Sequence, residues 1–106
     1  MHARLVGFSI TDPDKATREN AQQMIRERVI PTLSEYDGYA GYLSFMDAGR
    51  KRVRAVILWD SEEHAEAAEQ TLAERRKEMA ASVGLSLESA DLYEAIAVEV
   101  PSTAHV

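Results

Sequence analysis

The spacing of apolar residues switches along this chain between the two-residue period of a strand and the three-to-four-residue period of a helix. The order is strand, helix, strand, strand, helix, strand. That order constrains the architecture more than any single motif, because it predicts one α+β domain on a β-α-β-β-α-β plan. Residues 5–10 place Val6, Phe8 and Ile10 on one parity and stop at Thr11-Asp12-Pro13. Asp12 as a cap, with Pro13 where no backbone donor is needed, predicts that a helix starts there. Ala21, Met24, Ile25, Arg28, Val29 and Leu33 recur at helical spacing and are read as its buried stripe. Pro31 removes a donor and crowds the preceding turn, so a kink or restart is expected near Val29, with the end at Asp37-Gly38.

Residues 39–46 and 52–59 are rich in aromatic, β-branched and long apolar side chains and flank a polar turn containing Gly49, which predicts a hairpin. Asp60 followed by Glu63 reads as a capping box for a second helix over about 61–82. Its thin buried stripe is Ala65, Ala68, Leu72 and Met79, and Gly84 closes it. Residues 91–100 alternate again, with Leu92, Ile96, Val98 and Val100 on one parity, and Pro101 ends this last strand. The domain is therefore expected over residues 1–101, with a frayed tail at 102–106.

Two helices cover only one face of a four-stranded antiparallel sheet, and a face that meets water is normally polar. Here Val53, Ala55, Ile57 and Trp59 share one side of their strand, yet Val56 and Leu58 lie on the other. The neighbouring strand likewise has Tyr42 and Met46 on one side and Leu43 and Phe45 on the opposite one. A second copy stacked sheet to sheet would cover that surface, so a homodimer is expected.

Composition narrows the function classes. At 106 residues the chain is too short for a separate catalytic module. A formal net charge of −6 argues against nucleic acid, and the one basic cluster, Arg50, Lys51, Arg52 and Arg54, sits in a hairpin without interleaved aromatics. There is no cysteine, no apolar run of membrane-spanning length and no signal-peptide pattern at the start, which together predict a cytoplasmic protein without membrane contact. No metal-spaced histidine pair or phosphate-cradling loop occurs, and no cofactor is expected.

The run Arg28-Val29-Ile30-Pro31, the stop Asp37-Gly38-Tyr39-Ala40-Gly41-Tyr42 and the strand end Trp59-Asp60-Ser61-Glu62-Glu63 resemble the antibiotic biosynthesis monooxygenase family. The resemblance implies a ferredoxin-like monomer with an antiparallel four-stranded sheet, paired into a dimeric α/β barrel, with a ligand cleft between sheet and helices. Some members oxidise phenols, anthrones or hydroquinones with dioxygen and neither flavin nor metal; others degrade haem. Trp59 matches the tryptophan that lines the cleft in the monooxygenase-like members. His64, one turn further on, is a candidate base, and Arg28 a candidate stabiliser of an enolate or phenolate. Tyr36, Tyr39 and Tyr42, with Phe8 on the first strand, are the candidate substrate-binding set for a small aromatic ligand.

Three readings follow. The first is a cofactor-independent monooxygenase acting on a phenol- or quinone-like substrate. The second is a non-catalytic dimeric protein, ligand-binding or stress-associated, and Ala55 and Ile57, where the phenol-oxidising branch has polar partners around its tryptophan, favour it. The third is haem binding or degradation, although that branch uses a first-strand asparagine and this chain's one asparagine is Asn20 on the first helix.

Overall fold

The opening strand is longer than its alternation predicted: β1 spans His2–Ile10. The structure is a computed structural model that describes residues 1–47 and 49–101, so the tail expected at 102–106 lies outside the described residues. After β1 come α1 (Arg18–Met24), a π-helical turn (Ile25–Val29), α2 (Ile30–Leu33), β2 (Tyr39–Asp47), β3 (Arg52–Trp59), α3 (Glu62–Ser82) and β4 (Leu85–Glu94). The strands form one antiparallel sheet in the order β2-β3-β1-β4, the ferredoxin-like arrangement.

The first helix begins later than Asp12 and Pro13 suggested. The Asp12 carboxylate accepts from the Asp14 N–H at 3.1 Å, and the Asp12 carbonyl accepts from the N–H groups of Lys15 and Ala16, so a tight turn forms first. The cap is Thr17, whose hydroxyl accepts from the Asn20 N–H at 3.2 Å. Pro31 acts as expected, one step upstream. The Ile30 N–H bonds the Ile25 carbonyl, an i to i−5 closure that widens the turn just before the proline ring. That extra residue resets the helical phase: Met24 and Val29 face the core, while Arg28 is exposed, contrary to its place on the expected stripe.

α3 starts at Ser61, whose hydroxyl accepts from the His64 N–H at 3.2 Å; Ser61 rather than Asp60 is the cap. Its buried face is Ala65, Ala68, Leu72, Arg76 and Ala80, so the stripe bends to Ala80 while Met79 stays half-buried. These alanines let α3 lie close over Val6, Phe8, Val53, Ala55, Ile57 and Trp59, the helix-facing residues of β1 and β3. Val6 and Trp59 are each 1% exposed, and full burial of such side chains contributes roughly 1.5–3 kcal/mol apiece.

The last strand departs most from expectation. β4 lies at Leu85–Glu94, not at 91–100, and pairs Ile10 with Leu85, Phe8 with Leu87, Val6 with Ala90 and His2 with Glu94. A bulge opposite Gly7/Phe8 breaks the alternation there, which hides Leu85 and Leu87 from a period-two reading. Beyond Glu94 the chain has run past the start of β1; the Ala95 N–H bonds the Met1 carbonyl, and Ile96, at 97% exposure, has no sheet to join. On the face turned away from the helices Leu5, Leu43, Phe45 and Tyr93 are exposed, as the two-sided pattern of the hairpin requires.

Candidate ligand cavity

A partly enclosed cavity of about 90 Å³ lies between the sheet and the helices. Its floor is Val6 and Phe8 of β1, Tyr42 and Ser44 of β2, and Val53, Ala55 and Ile57 of β3. Met24, Ile25, Val29 and Leu33 wall one side, and Leu72, Arg76 and Met79 of α3 the other. An enclosed apolar void of about 150 Å³ holds benzene. A single ring would need the open side of this smaller one or the displacement of a soft neighbour, and Met24 and Met79 are soft.

The polar groups on this lining are few. Burial pushes the Tyr42 phenol up, against a smaller opposing effect of a hydrogen bond with Ser44, so at neutral pH it is a hydrogen-bond donor and not a base. Arg76, 7% exposed, is the cation on the lining. Its Nη1 and Nη2 donate to the two carboxylate oxygens of Glu69 at 2.8 Å each. Glu69 also faces Arg4 of β1, Nε to Oε1 at 3.6 Å, and Arg4 Nη2 donates to Glu66 at 3.2 Å. Burial by itself raises the Glu69 carboxyl, but the hydrogen bonds from Arg76 and the charges of Arg76 and Arg4 outweigh it and hold the group below its ordinary range.

The residues singled out from the sequence do not gather in one place. Phe8 and Tyr42 line the cavity. Trp59 is not among its lining residues; it is buried in the core, with Tyr36 and Tyr39 set edge-on at 6.4 and 6.3 Å between ring centroids. The Tyr36 hydroxyl is hydrogen-bonded with Thr71 at 2.7 Å. Arg28 is exposed on the π-helical turn.

His64 belongs to a separate cleft of about 270 Å³ with Glu35, Tyr36 and Asp37, and its Nδ1 lies 2.6 Å from Asp60 Oδ1. That bond, above all, raises the imidazole pKa, with the charges of Asp60, Asp37 and Glu63 adding to it against some desolvation. Gly38 makes the pairing possible: at φ +84° a Cβ there would sit 2.5 Å from both Asp60 Oδ1 and His64 Nδ1. Among the described residues no group of three or more metal-ligating side chains converges, and no helix is long and apolar enough to cross a membrane.

Arg76 and Ser44 are the residues that sequence reasoning passed over. Arg76 falls four positions after Leu72 on the alanine stripe, with Glu69 seven residues, about two turns, before it, and an opposite charge on the same helix face was the available signal. Ser44 sits on the core parity of β2 between Tyr42 and Met46.

No protein-family model matches the sequence, and no curated protein matches it. Solved structures do. A Streptomyces coelicolor monooxygenase from the gene ActVA-Orf6, in complex with nanaomycin D, superposes at TM-score 0.66 with 18% identity, over 95% of this chain and 92% of that one. SnoaB, a cofactor-independent oxygenase from Streptomyces nogalater, gives 0.63 at 10% identity over 95% and 97%. A dimeric ferredoxin-like protein from an uncultured marine organism gives 0.64 at 11% over 94% and 99%. The chain thus has the ferredoxin-like fold, shared across nearly its whole length with these monooxygenase, oxygenase and dimeric ferredoxin-like structures.

Proposed function

We propose that the protein is a cofactor-independent monooxygenase that takes a small phenol- or quinone-like aromatic into the cavity between sheet and helices. The observation that carries this reading is the cavity itself, an apolar box with Tyr42, Ser44 and Arg76 as its polar points, in a fold shared with a cofactor-independent oxygenase. An anthrone-type CH₂ oxidised by dioxygen becomes a C=O. One oxygen atom enters the product and the other leaves as water with the two hydrogens of that carbon, so no external reductant is needed. The chain's contribution is to hold the ring, favour its anion and keep bulk water away. Oxygen uptake with a panel of anthrones and hydroquinones tests it; rates equal to those without protein across the panel refute it.

One observation favours a second reading, a non-catalytic ligand-binding protein. None of the lining side chains is a free base, since Tyr42 stays protonated and Arg76 is engaged by Glu69. Native mass spectrometry of freshly purified protein that retains an aromatic it does not turn over would support this second reading. Haem finds no such support, because His64 is bound by Asp60 outside the cavity. In either reading the functional unit is a homodimer stacked through the face that carries Leu5, Leu43, Phe45 and Tyr93.

A further inference from the structure

The two helical walls of the cavity are held very differently. On α3 Ala65, Ala68, Leu72, Arg76 and Ala80 are buried, and the bridges from Glu69 to Arg76 and Arg4 tie that helix to β1. The other wall is α1 with the π-helical turn and α2, and between Ala16 and Leu33 it has no buried residue. Met24, Ile25 and Val29 face the cavity from it and stay half-buried over a space they do not fill. Among the described residues, the side-chain hydrogen bonds and ion pairs of residues 18–32 are local ones, such as Gln23 to Glu27 and Arg18 to Glu19. None reaches the sheet or α3.

The ends of this wall are fixed. Before it, the N–H groups of Thr11 and Asp12 and the Thr11 hydroxyl all donate to the Gly84 carbonyl, and Ala16 is 6% exposed. After it, Leu33 is 3% exposed, and the Tyr36 hydroxyl is hydrogen-bonded with Thr71 of α3. The middle is weak as a helix. α1 has seven residues and α2 four, well below the length of about 12–15 at which a helix is marginal by itself in water. They meet at a seam where the Ile30 N–H reaches back five residues to Ile25, and the next residue, Pro31, has no N–H to give. A shift between the two segments there breaks few hydrogen bonds.

We infer that residues 17–32 are the lid of the cavity: anchored at Ala16 and Leu33 and jointed at the π-helical turn, this arm lifts to admit a ring and closes over it while α3 stays in place. This rests on the ligand-cavity reading above and adds how that site opens. A resting cavity of about 90 Å³ is smaller than the void of about 150 Å³ that holds benzene, so enclosing a ring requires one wall to move. The arm is the wall with least holding it. Once closed, it keeps bulk water from the bound ring.

Amide hydrogen exchange on the whole chain, followed residue by residue by NMR, tests this with toluene and xenon as probes. In the free protein the amides of residues 21–30 should exchange about tenfold or more faster than those of residues 68–80. Toluene, larger than the resting space, should slow exchange across 21–30 by about tenfold and leave α3 unchanged, whereas xenon, a single atom, should bind without slowing it. Deletion of the exposed Arg28 together with Pro31→Ala removes the extra residue of the π-helical turn and restores a donor, which makes the arm one continuous helix. That variant should bind toluene about tenfold more weakly and xenon as before. If the deletion does not fold, Pro31→Ala alone should show a smaller loss in the same direction.

Arm amides as slow as those of α3 in the free protein, toluene bound without slowing the arm, or undiminished toluene binding by the regularised arm overturns the inference and leaves the cavity reading intact. Failure of both probes to bind overturns both. Toluene captured with the arm protected, and no oxygen uptake on any anthrone or hydroquinone, sustains the lid and refutes only the oxygenase step.

Discussion

Replacing Glu69 by glutamine tests whether the carboxylate shared by Arg4 and Arg76 holds α3 to β1. Removing one partner of a buried ion pair costs about 3–5 kcal/mol, and the 24% exposure of the Glu69 side chain puts this case at the low end, about 3. The glutamine oxygen still accepts one bond from a guanidinium, which offsets about 1 kcal/mol. The expected loss is therefore about 2 kcal/mol at neutral pH, or roughly 10 °C in Tm for a chain of this size. Urea unfolding at fixed protein concentration, followed by Trp59 fluorescence, reads it.

The pH dependence has a definite sign. Glu69 has a folded pKa below its unfolded value of about 4.3, so its contribution is fully present above that value. As pH falls through the folded pKa the contribution is lost, and wild type and Glu69→Gln should converge in stability there. Equal stability at pH 7, or a gap that does not narrow on acidification, refutes the argument.

Three further outcomes are expected. Gly38→Ala should destabilise by about 1–3 kcal/mol, because a Cβ at φ +84° is strained and strikes the Asp60–His64 pair; chemical denaturation measures it. By NMR titration His64 should lose its proton above its ordinary pKa, and Asp60→Asn should lower that value; the stabilisation it reports is present below the unfolded imidazole pKa and is lost as pH rises through the folded one. Phe45→Asp, on the exposed sheet face, should shift the light-scattering mass to that of a monomer at micromolar concentration without loss of secondary structure, and an unchanged dimer mass would refute that face as the interface.

Much of the architecture was legible because it depends on local periodicity. The order of elements, the hairpin around residues 47–52, and the parities that turn Val6, Phe8, Val53, Ala55, Ile57 and Trp59 inward are all visible in the residues themselves. Two of the misreadings share one cause, an irregularity of a single residue. A bulge in the last strand, opposite Gly7 and Phe8, concealed that strand and made the cleaner alternation of Leu92, Ile96, Val98 and Val100 persuasive. The π-helical turn at Ile25–Val29 rotated Arg28 out of the stripe that straight helical spacing assigned to it.

The candidate site was less legible than the fold. Phe8 and Tyr42 were within reach because strand parity places them, whereas Trp59 belongs to the core behind Tyr36 and Tyr39, and His64 to another cleft. By itself the sequence determined which side chains face which layer, since a strand repeats every two residues and a helix every three to four wherever the backbone is regular. Only the tertiary structure decided that Arg76 of α3, and not Arg28 of the first helix, is the cation on the cavity wall. That choice depends on the phase of two helices across a sheet, which one wide turn resets, and on Arg4 from a distant strand meeting Glu69.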